Sequence, residues 1–123
     1  MIKLLIIDQC KSYRTRLISI LVDYFPEIKI LSQSENYLEA EKIINIVSPD
    51  IIASELIEYE PNSKIKLLEL KKNNPQAIFI LMSNLQIDII KSELDFADLY
   101  LSKDENINSI ISIFKKALSI IRI

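Results

Sequence analysis

The sequence predicts an α/β fold: a doubly wound, five-stranded parallel sheet with helices on both faces. Three observations predict it. Five short apolar runs alternate with longer stretches whose apolar residues recur at helical spacing. The runs are apolar almost throughout, as strands covered on both faces must be. The chain has 123 residues, half of them hydrophobic, which suits one compact domain over residues 1–123 and is too short for two ordinary ones.

The elements follow in order. Residues 2–7 (IKLLII) form a buried strand that ends at Asp8. A helix then begins near Ser12, its expected N-cap, with Tyr13, Leu17, Ile20, Leu21 and Tyr24 on one face until Pro26 stops it. Residues 28–32 read as the second strand. Tyr37 to Val47 reads as the second helix, with Leu38, Ile43, Ile44 and Val47 on its apolar face. Ser48-Pro49-Asp50 breaks the chain before the short strand Ile51 to Ala53, which runs into Ser54-Glu55. A polar loop, Glu58 to Ser63, precedes a third helix over 64–72, carried by Ile65, Leu67, Leu68 and Leu70. Asn73-Asn74-Pro75 ends that helix, and 77–82 (AIFILM) is the most apolar strand. A short helix over 86–94 and a strand over 98–101 follow. The last helix runs from about Asn106 to Ile121.

Composition excludes much chemistry. There is no histidine, so His-based triads, His general bases and His metal ligands are ruled out. There is no glycine, which removes the close-approach loops that cradle nucleotide phosphates. A single cysteine, Cys10, permits no intrachain disulfide and fits a reducing compartment. A net charge of −2 offers no basic field for nucleic acid. With no signal peptide and no run near the roughly 20 apolar residues that span a bilayer, a cytoplasmic protein is expected, with no membrane partner.

In open α/β sheets, ligands bind beyond the carboxyl ends of the strands. Asp8 and Gln9 stand there after the first strand, Glu55 at the third, Ser83 after the fourth and Lys103 after the fifth. Singly, each is what an exposed strand end carries anyway. Together they form a small charge-balanced pocket, in which a lysine relieves the repulsion of two carboxylates.

These residues carry a family likeness. IIDQCKSYRTRL resembles the opening of two-component response-regulator receiver domains, with Arg14 and Leu17 where that pattern has them. SPDIIASEL is similar to the family's third strand and puts Glu55 at the phosphoacceptor position. IFILMS resembles the fourth strand with its terminal hydroxyl, Ser83. ADLYLSKD resembles the fifth, with Lys103 and the aromatic Tyr100. The likeness spans the whole chain and implies the flavodoxin-like receiver fold, strand order 2-1-3-4-5. It also implies a role in signal transduction and phosphorelay.

The departures share one place. The family's two adjacent acids, which help hold Mg²⁺, are Asp8 and Gln9 here. A hard cation prefers charged oxygen, so Mg²⁺ binding is expected to be weakened or lost, with no other metal or cofactor. Glu55 is one methylene longer than the family's acceptor aspartate. The loop Leu56 to Ser63 has about one extra residue and no glycine, which displaces the metal-ligating carbonyl implied near Ile57. Phe96 replaces the glycine before the fifth strand. The expected protein is therefore an atypical receiver, or pseudo-receiver, that is not an enzyme and is controlled independently of phosphorylation. Two readings of Glu55 stay open: a mimic of the phosphorylated state that places negative charge nearer Lys103 and Ser83, or a permanent ion pair with Lys103 that locks the domain.

Tyr100 reads equally as a rotameric switch coupled to Ser83 or as an ordinary strand aromatic. Cys10 reads as inert and Lys115-Lys116 as a solvated helix face. On the last helix, Ile107, Ile110, Ile111, Phe114, Ala117, Leu118 and Ile121 form a core face. Ile113 and Ile120 widen that stripe. With Lys116 they mark a contact surface that the likeness places on the fourth helix, fifth strand and fifth helix, for a homodimer or a protein partner. Two other readings remain. The chain stops where a linker would begin, so it could be the regulatory domain of a transcription factor whose DNA-binding domain is absent. An aspartate-nucleophile, Mg²⁺-dependent phosphoryl-transfer enzyme also suits Asp8, Ser83 and Lys103, although position 10, where it wants a second aspartate, is Cys10.

Overall fold

The computed structural model describes residues 1–56 and 61–121, with the backbone alone at residues 31 and 32. Ten elements alternate strictly: β1 (Ile2–Ile7), α1 (Lys11–Tyr24), β2 (Ile28–Ser34), α2 (Tyr37–Ile46), β3 (Ile51–Glu55), α3 (Ser63–Asn73), β4 (Ile78–Ser83), α4 (Ile87–Glu93), β5 (Leu99–Ser102) and α5 (Ile107–Ile121). The strands form one parallel sheet in the order β2-β1-β3-β4-β5. The expected α/β architecture and strand order are both observed.

The period of two along each strand divides the core. Leu4, Ile6, Ile51, Ala53, Ile80, Met82 and Leu101 face α1 and α5. Leu5, Ile7, Ile52, Phe79 and Leu81 face α2, α3 and α4. Each apolar run therefore serves two helical layers, which is why the strands do not alternate with polar residues.

Several local expectations are corrected. The first helix starts at Lys11, not after Ser12: Asp8 Oδ1 accepts the Cys10 N–H at 2.8 Å and turns the chain into the helix early. β2 continues to Ser34 because a register shift at Leu4/Leu5 lets it pair with β1 as far as Ile7. Tyr24 is exposed; Phe25, just beyond α1, enters the core and lies against Phe114, ring centroids 6.2 Å apart. Leu38 is exposed because Tyr37 and Ala40 carry the buried face of α2. Ile65 and Ile107 are exposed as well, leaving Leu67 and Leu70 to anchor α3 and Ile110 and Phe114 to anchor α5. In a chain without glycine, the left-handed residue before α3 is Asn62 (φ 59°), a residue type that tolerates this region.

Candidate functional site

The carboxyl ends of β1, β3 and β4 and the turn after β5 converge. Asp8 is fully buried, and Glu55 and Ser83 are almost so. Lys103 projects between the two acids, its side chain 8% exposed. Its Nζ lies 2.8 Å from Asp8 Oδ2 and donates to Glu55 Oε2 at 3.0 Å. The contact with Asp8 is an ion pair without hydrogen-bond alignment. The other oxygens are engaged too. Glu55 Oε1 accepts the Gln9 N–H at 2.7 Å, and Asp8 Oδ1 accepts the Cys10 N–H. Each of the four carboxylate oxygens thus meets a cation or a backbone donor.

Aromatic and basic residues frame the triad. Lys103 Nζ sits 4.6 Å from the centroid of the Tyr13 ring, a cation–π contact. Burial, reinforced by Asp8, pushes the Tyr13 phenol up to about 12, so it stays neutral. The buried Arg14 guanidinium donates to the Asp8 carbonyl and, through Nε, to Gln33 at 3.1 Å. It ties the end of β1 to the end of β2. Tyr37 Oη and Ser54 Oγ both donate to the Glu55 carbonyl, at 2.9 and 3.0 Å.

The charges are unequal: one lysine serves two buried carboxylates. Burial raises the Glu55 pKa, and the Gln9 N–H and Lys103 only partly oppose it. Burial lowers that of Lys103, but its contacts with Asp8 and Glu55 outweigh burial and raise it overall. The two directions are consistent, because the shared lysine is over-compensated while Glu55 is under-compensated.

The positions named from sequence fall as follows. Asp8, Glu55 and Lys103 meet. Gln9 contributes its backbone N–H, while the residue itself is exposed. Ser83 lies on the rim, but its Oγ accepts the Leu85 N–H at 3.0 Å within its own loop. The Tyr100 hydroxyl donates to the Leu94 carbonyl at the end of α4, and Lys91 approaches its ring. Ile57 lies outside the described residues. Ile113 packs against the core edge and, with Lys116, Ile87 and Tyr100, lines a groove of 390 Å³ between α4 and α5. Ile120 is exposed on the same helix.

Sequence reasoning missed the pocket roles of Tyr13 and Tyr37, both of which looked like ordinary helix positions. The only signal for Tyr37 was its place directly after the Asn36 cap, where the start of α2 meets the rim. Removing its hydroxyl tests the contact: Tyr37→Phe is expected to cost about 1 kcal/mol in urea denaturation, the typical net worth of one buried hydrogen bond.

This sheet order, with acids ending β1 and β3 and a lysine after β5, defines a flavodoxin-like doubly wound domain with a charged site at the carboxyl edge of its sheet. No protein-family model matches the chain. It is 31% identical over 83 residues to the chemotaxis protein CheY of Listeria monocytogenes, covering 68% of each chain. It is 30% identical over 122 residues to a protein-glutamate methylesterase/protein-glutamine glutaminase of Carboxydothermus hydrogenoformans, covering 96% of this chain but only 35% of that protein's length. Among solved structures, the beryllofluoride-activated NtrC4 receiver domain dimer superposes with a TM-score of 0.82 at 19% identity, over 98% of this chain and 99% of that one. The chain belongs to the response-regulator receiver family of two-component signalling.

Proposed function

We propose that this receiver signals through protein–protein contact with its phosphorylation chemistry lost, as a pseudo-receiver held in one state by its own charges. The observation that carries this reading is Lys103 held between Asp8 and Glu55. Mg²⁺ wants several oxygen ligands in near-octahedral array. The donor set here does not fit it. Both acids are already engaged, the neighbouring position is the amide Gln9, and no cluster of three metal-binding side chains occurs among the described residues. On this reading the domain works without bound Mg²⁺ and without catalysis of its own.

Between the two readings of Glu55, the geometry favours the permanent ion pair. A phosphoryl mimic would recruit Ser83, yet the Ser83 hydroxyl bonds within its own loop and Tyr100 bonds to α4. A buried pair of this kind can set a conformation without adding stability. Incubation with acetyl phosphate and Mg²⁺ is expected to leave the intact mass unchanged. A gain of one phosphoryl group that Glu55→Gln abolishes would sink the proposal.

The contact surface we assign is the α4–β5–α5 face, where Ile113 and Lys116 line the groove beside Tyr100 and Ile120 is exposed further along α5. A homodimer fits it best, since the similar NtrC4 receiver is itself a dimer. The reading places the protein in the cytoplasm. No helix among the described residues is long and apolar enough to cross a membrane. Sedimentation equilibrium should find a dimer that Lys116→Glu with Ile120→Glu converts to monomer. A monomeric parent protein overturns this assignment.

A further inference from the structure

The groove of 390 Å³ between α4 and α5 carries opposite charge at its two ends. Glu105, just after β5, lines the end at the carboxyl edge of the sheet, with the exposed Asp104 beside it. Lys116 lines the other end, with the exposed Lys115 beside it. The two lining residues are eleven positions apart. At the rise of an α-helix that is roughly 16 Å. We propose that the groove takes α5 of a second copy, running antiparallel, with Glu105 of each copy paired to Lys116 of the other. The proposal rests on the homodimer reading above and fixes its register.

Charge is the first argument. Neither Glu105 nor Lys116 has an ion-pair partner in its own chain among the described residues. α5 contains no acidic residue, so Lys116 is offered no partner along its own helix. A two-fold axis makes an interface isologous: if residue i meets residue j, then j meets i. A surface with one acidic and one basic end matches itself only when the second copy is turned end for end, and the match is then made twice.

Spacing is the second, separate argument. The antiparallel register that sets 105 against 116 also sets 109 against 112. Both positions are serine, and Ser109 and Ser112 both line the groove. Short side chains therefore face short side chains at the axis, where two helix backbones can approach closely. Ile87 and Ile113, both half-buried, add apolar surface beside them. The charged groups are left at the rim, where interfaces usually keep them.

Sedimentation equilibrium on the full chain tests this. Glu105→Lys and Lys116→Glu should each weaken self-association at least about tenfold, because each turns both cross-pairs into like-charge contacts. Mixed in equal amounts, the two variants should associate with each other, since opposite charges meet again at both ends. A variant carrying both changes should dimerise like the parent. Recovery in the mixture also shows that each single variant is folded. A dimeric parent whose single variants associate as tightly, or whose mixture and double variant stay monomeric, overturns the register and leaves the homodimer reading standing. A monomeric parent overturns both.

Discussion

Replacing Lys103 by methionine is expected to destabilise the domain by about 3–5 kcal/mol at neutral pH, the usual range for stranding a buried charge. Methionine keeps most of the side-chain volume, so the loss is electrostatic. The pH dependence identifies the cause. In the parent protein Glu55 already has a raised pKa, from burial above all. Without the ammonium, which now lowers it, the Glu55 carboxyl is raised further. An acid whose folded pKa exceeds its unfolded value binds more protons when folded, so stability falls as pH rises through that window. The deficit should therefore shrink as pH falls towards the ordinary carboxylate range near 4. Urea denaturation from pH 7 to pH 5 reads this directly. A deficit constant with pH would mean that Lys103 acts by packing. In the parent protein, Lys103 has a raised pKa of its own. Its contribution is complete below the ordinary lysine value and is lost as pH climbs through the raised one, on the alkaline side.

Legibility in the sequence followed how local each signal was. Strand runs and their polar ends are local, and all five strands and five helices stand within a few residues of expectation. The meeting of Asp8, Glu55 and Lys103 was legible because parallel strands share one carboxyl edge. The division of labour inside the pocket was not. Gln9 looked like a lost ligand, whereas its backbone N–H occupies Glu55 Oε1. A backbone donor leaves no trace in residue type. The exposed Leu38 and Ile65 show the same limit on helices. A seven- to eleven-residue helix has several apolar positions, and the neighbouring layer decides which of them turn inward. Tyr37 turned inward because its hydroxyl reaches the Glu55 carbonyl, a contact across 18 residues.

Glu55→Asp combined with Gln9→Asp is expected to raise Mg²⁺-dependent phosphorylation from acetyl phosphate at least about a hundredfold over the parent protein, the scale set by misplacing a reacting group by 1 Å. Shortening the side chain by one methylene withdraws the carboxylate from the Gln9 N–H and from Lys103 by more than about 1 Å. That frees both oxygens from the contacts that now occupy them. The second change adds a charged oxygen at an exposed position beside Asp8, where the parent offers an amide. Each single variant should fall well short. Gln9→Asp leaves Glu55 clamped, and Glu55→Asp leaves the cation a carboxylate poorer. Intact-mass spectrometry with and without chelator distinguishes these cases. A parent protein that is phosphorylated as fast as the double variant would show that the clamp opens readily, and that Glu55 is no barrier to the family's chemistry. If the double variant stays unmodified while binding Mg²⁺, the obstacle moves to the loop after Glu55, where the family's glycine-bearing turn is missing.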